Sequence, residues 1–400
     1  MDGKESREAG AGSGHYVIQV HDTIRSIDAA VWNALLAQQT HPTPFMRHEY
    51  LAALEHSGSA DATTGWAPRH LTLSDAAGRL LAACPFYLKS HSRGEYVFDW
   101  SWADAHHRHG HAYYPKGVVA VPFTPAPGSR LLARDPQTRQ ALIAALLAQC
   151  RTLGLSSLHL LFGSDTDLVS CQQAGLMQRH TVQFHWNNRP GRPYVDFDDF
   201  LSALSQDKRK KIRQERRKVR EAGVTLHPLH GREIREADWD FFYRCYERTY
   251  LEHGNPPYLS RSFFSEIARV QPGHWLLFLA EREGRPLASS LIALGPEPQP
   301  SIAWGRYWGA LERIDCLHFE ACYYAPLQWC IEHGVQRFEG GAQGEHKLAR
   351  ALLPVRTTSA HWLAQPDFAQ AVQRFLDRES EGIAGYVEEL DRHSPLRQPG

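Results

Sequence analysis

Residues 319–350 read Phe319-Glu-Ala-Cys-Tyr-Tyr-Ala-Pro-Leu-Gln-Trp-Cys-Ile-Glu-His-Gly-Val-Gln-Arg-Phe-Glu-Gly-Gly-Ala-Gln-Gly-Glu-His-Lys-Leu-Ala-Arg350. The run 319–333 predicts a helix, and Gly334 ends it because glycine adopts the left-handed C-terminal conformation at little cost. A strand is expected to follow and to enter a bend rich in glycine. Beyond the bend come Glu345, His346 and Lys347, and then a further helix. An acid, a titratable imidazole and a cation thus gather beside backbone that is free to approach a ligand.

The same order of elements occurs earlier in the chain. Helix 138–153 ends at Gly154, and Gly154-Leu-Ser-Ser-Leu-His leads into a strand as Gly334-Val-Gln-Arg-Phe-Glu does. Trp32 answers Trp239, Tyr50 and Leu54 answer Phe263 and Ile267, and Leu81-Ala-Ala-Cys84 answers Leu287-Ala-Ser-Ser290. Phe184-His-Trp186 matches Ala360-His-Trp362. Matches that keep one order and nearly constant spacing point to a duplication. The expected units are 15–190 and 191–385, between tails 1–14 and 386–400. In each unit a helix pair, a hairpin and a helix–strand–helix–strand run follow one another. That order resembles the acyltransferase fold of the Gcn5-related type. The expected fold class is therefore α/β, with tandem GNAT-like domains. Each would be a mixed, largely antiparallel sheet, flanked by helices and splayed between two central strands, where free backbone groups can hold a ligand.

Composition narrows the functional classes. Four hundred residues exceed the usual size of one domain. The 44 basic and 44 acidic residues cancel, so nucleic-acid binding would need a local patch. Seven cysteines without a Cys-x-x-Cys pair read as reduced thiols. Cys316, His318 and Cys322 lack a fourth ligand at suitable spacing, and no metal is expected. The first residues lack the apolar stretch of a signal peptide, and no apolar run is long enough to span a bilayer. A soluble, cytoplasmic protein is expected. Nucleotide-binding Gly-x-x-x-x-Gly-Lys-Ser/Thr and Gly-x-Gly-x-x-Gly loops do not occur.

Other stretches add candidate site residues. Between 208 and 220 nine basic residues stand against one acid, Glu215. Ile212 and Val219 define a narrow seam for docking such a helix. Lys208, Arg209, Lys210, Lys211, Arg213, Arg216 and Arg217 either bind phosphates of tRNA, a nucleotide or an anionic precursor, or face solvent in a linker helix. His253, Asn255 and Tyr258 flank a Pro-Pro turn and either line an acceptor pocket or redirect the chain. Arg306, between Trp304, Tyr307 and Trp308, can clamp a carboxylate or phosphate while the rings exclude water. Glu320 is costly to bury unpaired beside Tyr323 and Tyr324, and Arg306 or His346 is its expected partner. For acyl transfer to an amine, His346 suits the proton acceptor and Lys347 the oxyanion stabiliser, with Glu345 and Gly344 beside them. His361 is read as pairing within the sheet. The first unit offers no cation at 163–167. Its histidine-rich tract 101–111 reads as exposed and irregular, with Asp99, Trp100 and Trp102 as cleft candidates.

Five stretches together resemble the FemAB-like proteins of peptidoglycan biosynthesis or recognition. They are the basic run 207–223, His253-Gly-Asn-Pro-Pro-Tyr258, Gly305-Arg-Tyr-Trp-Gly309, Phe319-Glu-Ala-Cys-Tyr-Tyr324 and Gly341-Ala-Gln-Gly-Glu-His-Lys347. The resemblance covers about residues 15–385. It implies tandem acyltransferase-fold enzymes that move an amino acid from aminoacyl-tRNA to a cell-wall peptide, with no tightly bound cofactor. It also implies that Lys347 matches a lysine that contacts substrate. The long helical-hairpin arm of some such enzymes is missing. An acyl-CoA donor with a small amine acceptor, or a non-catalytic precursor-recognition protein, therefore stays open. Expected partners are tRNA or an anionic cell-wall precursor, with peripheral membrane contact allowed.

Overall fold

The computed structural model describes residues 7–9, 16–296, 298–342 and 344–396. The expected N-terminal tail lies outside these apart from Arg7–Ala9, a strand paired antiparallel with Tyr16–His21. Gln343 of the glycine-rich bend also lies outside the described residues.

Two compact units emerge, Met1–Thr181 with Thr357–Ile383, and Val182–Arg356 with Ala384–Gly400. They differ from the expected division at 190 and 191 by a reciprocal exchange of strand segments. Met177–Asn187 sends its last residues into the second unit, where Gln183, His185, Trp186 and Asn187 pair with Arg337–Ala342. Leu353–Leu363 sends Ala360, His361, Trp362 and Leu363 into the first, where they pair with Ser157–Leu160. Each strand has 11 residues, about twice the usual length, which lets one strand serve two ladders.

In the first unit, strands Tyr16–His21, His70–Ser74, Leu80–Cys84 and Leu132–Ala133 form one antiparallel sheet. Trp66–Pro68, Phe86–Lys89, Lys116–Val119 and Ser157–Leu160 form another ladder, parallel only between the last two. The helix Ala29–Ala37 starts where Asp28 accepts from the Val31 amide. Its Trp32 is fully buried and donates to the Met46 carbonyl at 2.8 Å. Helix Pro136–Thr152 opens on a capping box at Asp135 and lays Leu142, Ile143 and Leu146 on the sheet. The histidine-rich tract is not irregular but helical from Trp100 to Arg108, because neither proline nor glycine interrupts it before Gly110. Its His106 is buried and stacks on Phe368 at 4.0 Å.

The second unit orders its strands as Val224–His230, Trp275–Arg282, Arg285–Leu294, Ile302–Ala310, Arg337–Ala342 and the 183–187 segment. The first four are antiparallel, and Ile302–Ala310 runs parallel to Arg337–Ala342. Helices Gln206–Glu221, Glu236–Glu252 and Arg261–Val270 flank the sheet. Between the parallel strands the chain is helical from 317 to 332, with one π-turn at Glu320–Tyr324. The helix expected after Lys347 is only a 3-10 turn, Glu345–Arg350, bounded by left-handed Gly344 and Ala351. The expected tail from 386 is helical as far as Arg392, because Pro366–Arg392 keeps one apolar face. Among the described residues no helix is long and apolar enough to cross a membrane.

Candidate active site

Strands Ile302–Ala310 and Arg337–Ala342 pair at Ile302, Ala303 and Trp304 only, opposite Arg337, Phe338 and Glu339. Past Trp304 the two strands part. On its other edge Leu291 faces Tyr307 while Ile292 faces Gly305, so Arg306 is the extra residue of a β-bulge. A bulge re-aims a side chain and bends its strand, and this one stands where the strands separate. A cavity of about 150 Å³ fills the gap, lined among others by Ser290, Arg306, Trp308, His318, Cys322 and Tyr323. Gly340 borders it because nothing larger fits. A Cβ there would lie 2.3 Å from Leu352 and 3.0 Å from the Phe184 carbonyl.

The helix above the cavity begins after Cys316, which sits at φ 66°. Its π-turn, a feature often found at functional positions, carries Cys322 and Tyr323 into the cavity wall. The Ser290 hydroxyl donates to the Ala321 carbonyl within this turn at 2.5 Å. His318 approaches Trp308 and Tyr323 at ring distances of 5.5 and 5.6 Å, and burial lowers its pKa to about 4. The imidazole is therefore neutral at physiological pH.

The glycine-rich bend closes one side. Gly344 sits at φ 92°, and a Cβ there would lie 2.4 Å from the His346 ring. His346 is exposed, with Nε2 3.2 Å from the Tyr323 hydroxyl. Partial burial, then Arg350 and Lys347, push its pKa below the ordinary histidine value. Lys347 is buried, donates to the Gly341 carbonyl at 3.3 Å, and is lowered by burial to about 8. Glu345 instead faces outward and accepts from Tyr386 at 2.8 Å.

The expected residues thus divide. Arg306, Tyr307, Trp308 and His346 gather at or beside the cavity, with Lys347 beneath its glycine strand. Tyr307 continues into an aromatic chain, with ring distances of 5.1 Å to Tyr246, 4.8 Å onward to Tyr250 and 5.5 Å to Tyr258. His253 and Asn255 are exposed at a helix end, bonded to the Thr249 and His253 carbonyls. Tyr324 lies on the other side of its helix, where its hydroxyl donates to Glu215. Glu320 is paired with neither Arg306 nor His346 but with Arg216, 2.9 Å away, and Arg216 is in turn over the Phe197 ring. His318, Cys322 and Tyr323 escaped the sequence reading as site residues. The one signal for them was their clustering on the helix before the bend.

The basic helix Gln206–Glu221 docks by Ile212, Glu215 and Val219 and is divided by that docking. Arg209, Lys210, Arg213, Arg216, Arg217 and Arg220 line one groove, and Lys208 and Lys211 fall outside it. Lys211 approaches Glu215 at 4.0 Å, on the flank that meets Arg350.

The first unit holds a charged cluster that the sequence did not reveal. Buried Lys116 donates to Ser92 and Glu95 at 2.8 Å each and to Asp99. Tyr113 donates to Asp99 at 2.5 Å, and its oxygen lies 3.2 Å from His159. The ring nitrogens of His159 and His361 meet at 2.7 Å across paired strands. Asp99 is thus bound within this cluster, and Trp100 is exposed. Among the described residues no group of three histidine, cysteine or carboxylate side chains is arranged to hold a metal ion.

Two solved structures share this architecture. One is the C-terminal domain (DUF2156) of an Agrobacterium fabrum protein named as a lysylphosphatidylglycerol synthetase. It is 12% identical, with a TM-score of 0.53 over 87% of this chain and 95% of that one. The other is FemX, 11% identical, with a TM-score of 0.52 over 87% of this chain and 98% of its own. At such identity the likeness bears on fold alone. It is an α/β fold of mixed sheets flanked by helices. No curated protein matches the chain at a significant level. A sequence model of the FemAB-like family, described as peptidoglycan biosynthesis/recognition, matches residues 23–398. The chain therefore belongs to the FemAB-like family, whose membership suggests acyl or aminoacyl transfer.

Proposed function

We propose that this chain is an N-acyl or aminoacyl transferase whose reaction takes place where Ile302–Ala310 and Arg337–Ala342 part. The observation that carries this reading is the cavity at the bulge, which joins an unpaired stretch of strand to Arg306 and to Tyr323, whose hydroxyl lies 3.2 Å from His346. The acceptor amine attacks the donor carbonyl, so a C–N bond forms and the donor's ester or thioester bond breaks. His346, with its lowered pKa, takes the amine proton and is oriented by Tyr323. The leaving hydroxyl or thiol takes up a proton as it departs. Lys347, charged below about pH 8, supplies positive potential behind Gly340 for the developing oxyanion. Arg306 holds a carboxylate or phosphate of the substrates at the cavity mouth.

Aminoacyl-tRNA is the first donor hypothesis. Lys208 and Lys211 lie on the flank of the basic helix nearest the Arg350 turn and can receive its phosphates. An acyl-CoA is the second, and either donor places the reaction in the cytoplasm. The acceptor consistent with the family is the amine of a cell-wall peptide precursor. We also propose that the two units are diverged copies. Trp32 and Trp239 are both buried on helices, Ala29–Ala37 and Glu236–Glu252, and Gly154 and Gly334 both turn left-handed before a strand.

The deciding experiment offers the whole protein total aminoacyl-tRNA or a panel of acyl-CoAs, with amine-bearing cell-wall peptides as acceptors. Mass spectrometry then looks for a product heavier by one acyl group. Product from one donor class, formed about 10²-fold more slowly in His346→Gln, supports the reading. Precursor binding without product from either donor would leave a recognition protein instead.

A further inference from the structure

A groove runs along the basic helix. It has a volume of about 1190 Å³ and presents Arg209, Lys210, Arg213, Arg216, Arg217 and Arg220. Its carboxylates are Asp196, Asp198 and Glu332. Asp198 pairs with Arg213 at 3.0 Å, Glu332 accepts from Gln328, and Asp196 caps the helix Phe197–Ser202. Among the described residues Arg217 pairs only with the exposed Glu221, at 3.5 Å. Beyond the paired Arg213 and Arg216, the groove therefore carries an excess of cations, since Arg209, Lys210 and Arg220 form no ion pair among the described residues.

At Arg216, Arg220, Gln328 and Glu332, which line both, this groove adjoins a second one of about 340 Å³, and Arg216 donates to Gln328 at 2.9 Å where they meet. Its character is opposite. Val219, Val224, Leu226, Phe278, Ala325 and Trp329 make its walls. They come from the basic helix, the edge strand Val224–His230, its neighbour and the 317–332 helix. Solvated cations adjoining an apolar slot fit a ligand with an anionic head and a hydrocarbon chain. A polyanion without a chain has no use for the slot, and an uncharged chain has none for the arginines.

We infer that this double groove binds a long-chain phosphate ester. The phosphate lies among Arg209, Lys210, Arg213 and Arg217, and the chain runs past Arg220 into the slot beside Leu226 and Trp329. The inference is independent of the reaction proposed for the cavity, because none of these residues lines it. Glu320, whose carboxylate borders the slot, does not repel the ligand because Arg216 neutralises it at 2.9 Å.

Calorimetry of the whole protein with n-dodecyl phosphate, kept below its micellar concentration, tests the inference. Butyl phosphate and dodecyl maltoside are the controls for head and chain. Dodecyl phosphate is expected to bind at least about tenfold tighter than either, since each buried methylene adds to affinity. The exposed double variant Arg213→Gln/Arg217→Gln should weaken it about tenfold, and so should Leu226→Gln in the slot. Thermal melts matching the wild type would show that both variants fold. If Leu226→Gln melts early, the surface double variant still decides. Equal affinity for butyl and dodecyl phosphate, or no loss in the double variant, would overturn the inference. Co-sedimentation with phosphatidylglycerol but not phosphatidylcholine vesicles, lost in the double variant, would identify the source as membrane lipid. Binding of dodecyl phosphate without vesicle binding would identify a soluble ester.

Discussion

Arg350 donates to Glu215 at 2.9 Å while its guanidinium lies 3.5 Å from the centre of the Phe319 ring. Both partners are buried, so the one acid in the basic run is the pin that holds the helix. The same arginine donates to the His346 carbonyl at 2.6 Å, which ties the bend to that pin.

Removing Glu215 should therefore cost far more than removing any neighbouring cation. Glu215→Ala leaves Arg350 buried without its carboxylate, a loss of about 3–5 kcal/mol. Lys210→Gln, at an exposed position, should stay within about 0.5 kcal/mol. Urea unfolding of the two variants checks the contrast. Similar midpoints would mean that the helix docks by Ile212 and Val219 alone.

On the proposed mechanism, His346 must be neutral to accept a proton. Its pKa lies below the ordinary value, so the acid limb of kcat/KM should lie on the acid side of an ordinary histidine's. His346→Gln should lower turnover by about 10²-fold and abolish that acid limb. Tyr323→Phe removes only the hydroxyl beside Nε2 and should cost less. A pH–rate profile unchanged in His346→Gln would remove His346 from the chemistry.

What the sequence disclosed here was local. Gly154 and Gly334 announced their helix ends because that conformation belongs to glycine, and the 340–344 bend was visible for the same reason. The strand exchange was not visible, because periodicity locates a strand without naming the ladder that receives its far end. Arg216 looked like its eight basic neighbours, yet its partner Glu320 lies 104 residues away, and no local pattern encodes that choice. Arg306 was legible as an unusual residue among aromatics. That it is a bulge residue depends on the register of Arg285–Leu294 against it. Lys116 passed unnoticed inside an apolar strand, since Glu95, Asp99 and His159 approach it only through tertiary contacts.

Lys347 makes a second kind of prediction, about stability. Burial lowers its pKa from 10.5 to about 8. Between those values the unfolded chain binds the proton that the folded protein has released, so stability should rise with pH across that window. Lys347→Met should reduce the rise to the share left by Lys89, whose pKa burial lowers to about 7, and be more stable than the wild type at pH 7. It should also shift the acid limb of His346 upward, because a neighbouring positive charge is gone. On the proposed mechanism its turnover falls by about 10²-fold. Stability gained together with activity lost would separate a role in charge stabilisation from a structural one.

The buried cluster of the first unit should report itself through Glu95. Burial dominates there and pushes its pKa from 4.5 up to about 7, against the attraction of Lys116 at 2.8 Å. Asp99 behaves oppositely. Although burial opposes it, Lys116 and then His159 hold its carboxyl well below the usual range. Between pH 4.5 and 7 the folded protein therefore carries a proton on Glu95 that the unfolded chain lacks. Its contribution to stability is present at the acid end of that window and is lost as pH rises through about 7. Asp99 gives no slope there, because it is ionised in both states. Glu95→Gln should remove this falling share of the pH dependence, leaving the opposite, rising share of His185, His318 and His361, whose pKa values burial lowers, and raise stability at pH 8, where the wild type buries an extra negative charge. Lys116→Met should do the reverse and destabilise by about 3–5 kcal/mol, since it strands Asp99 without its cation. Thermal melts from pH 4.5 to 8 measure both. A stability difference between wild type and Glu95→Gln that stays constant from pH 4.5 to 8 would mean that the proton sits elsewhere in the cluster.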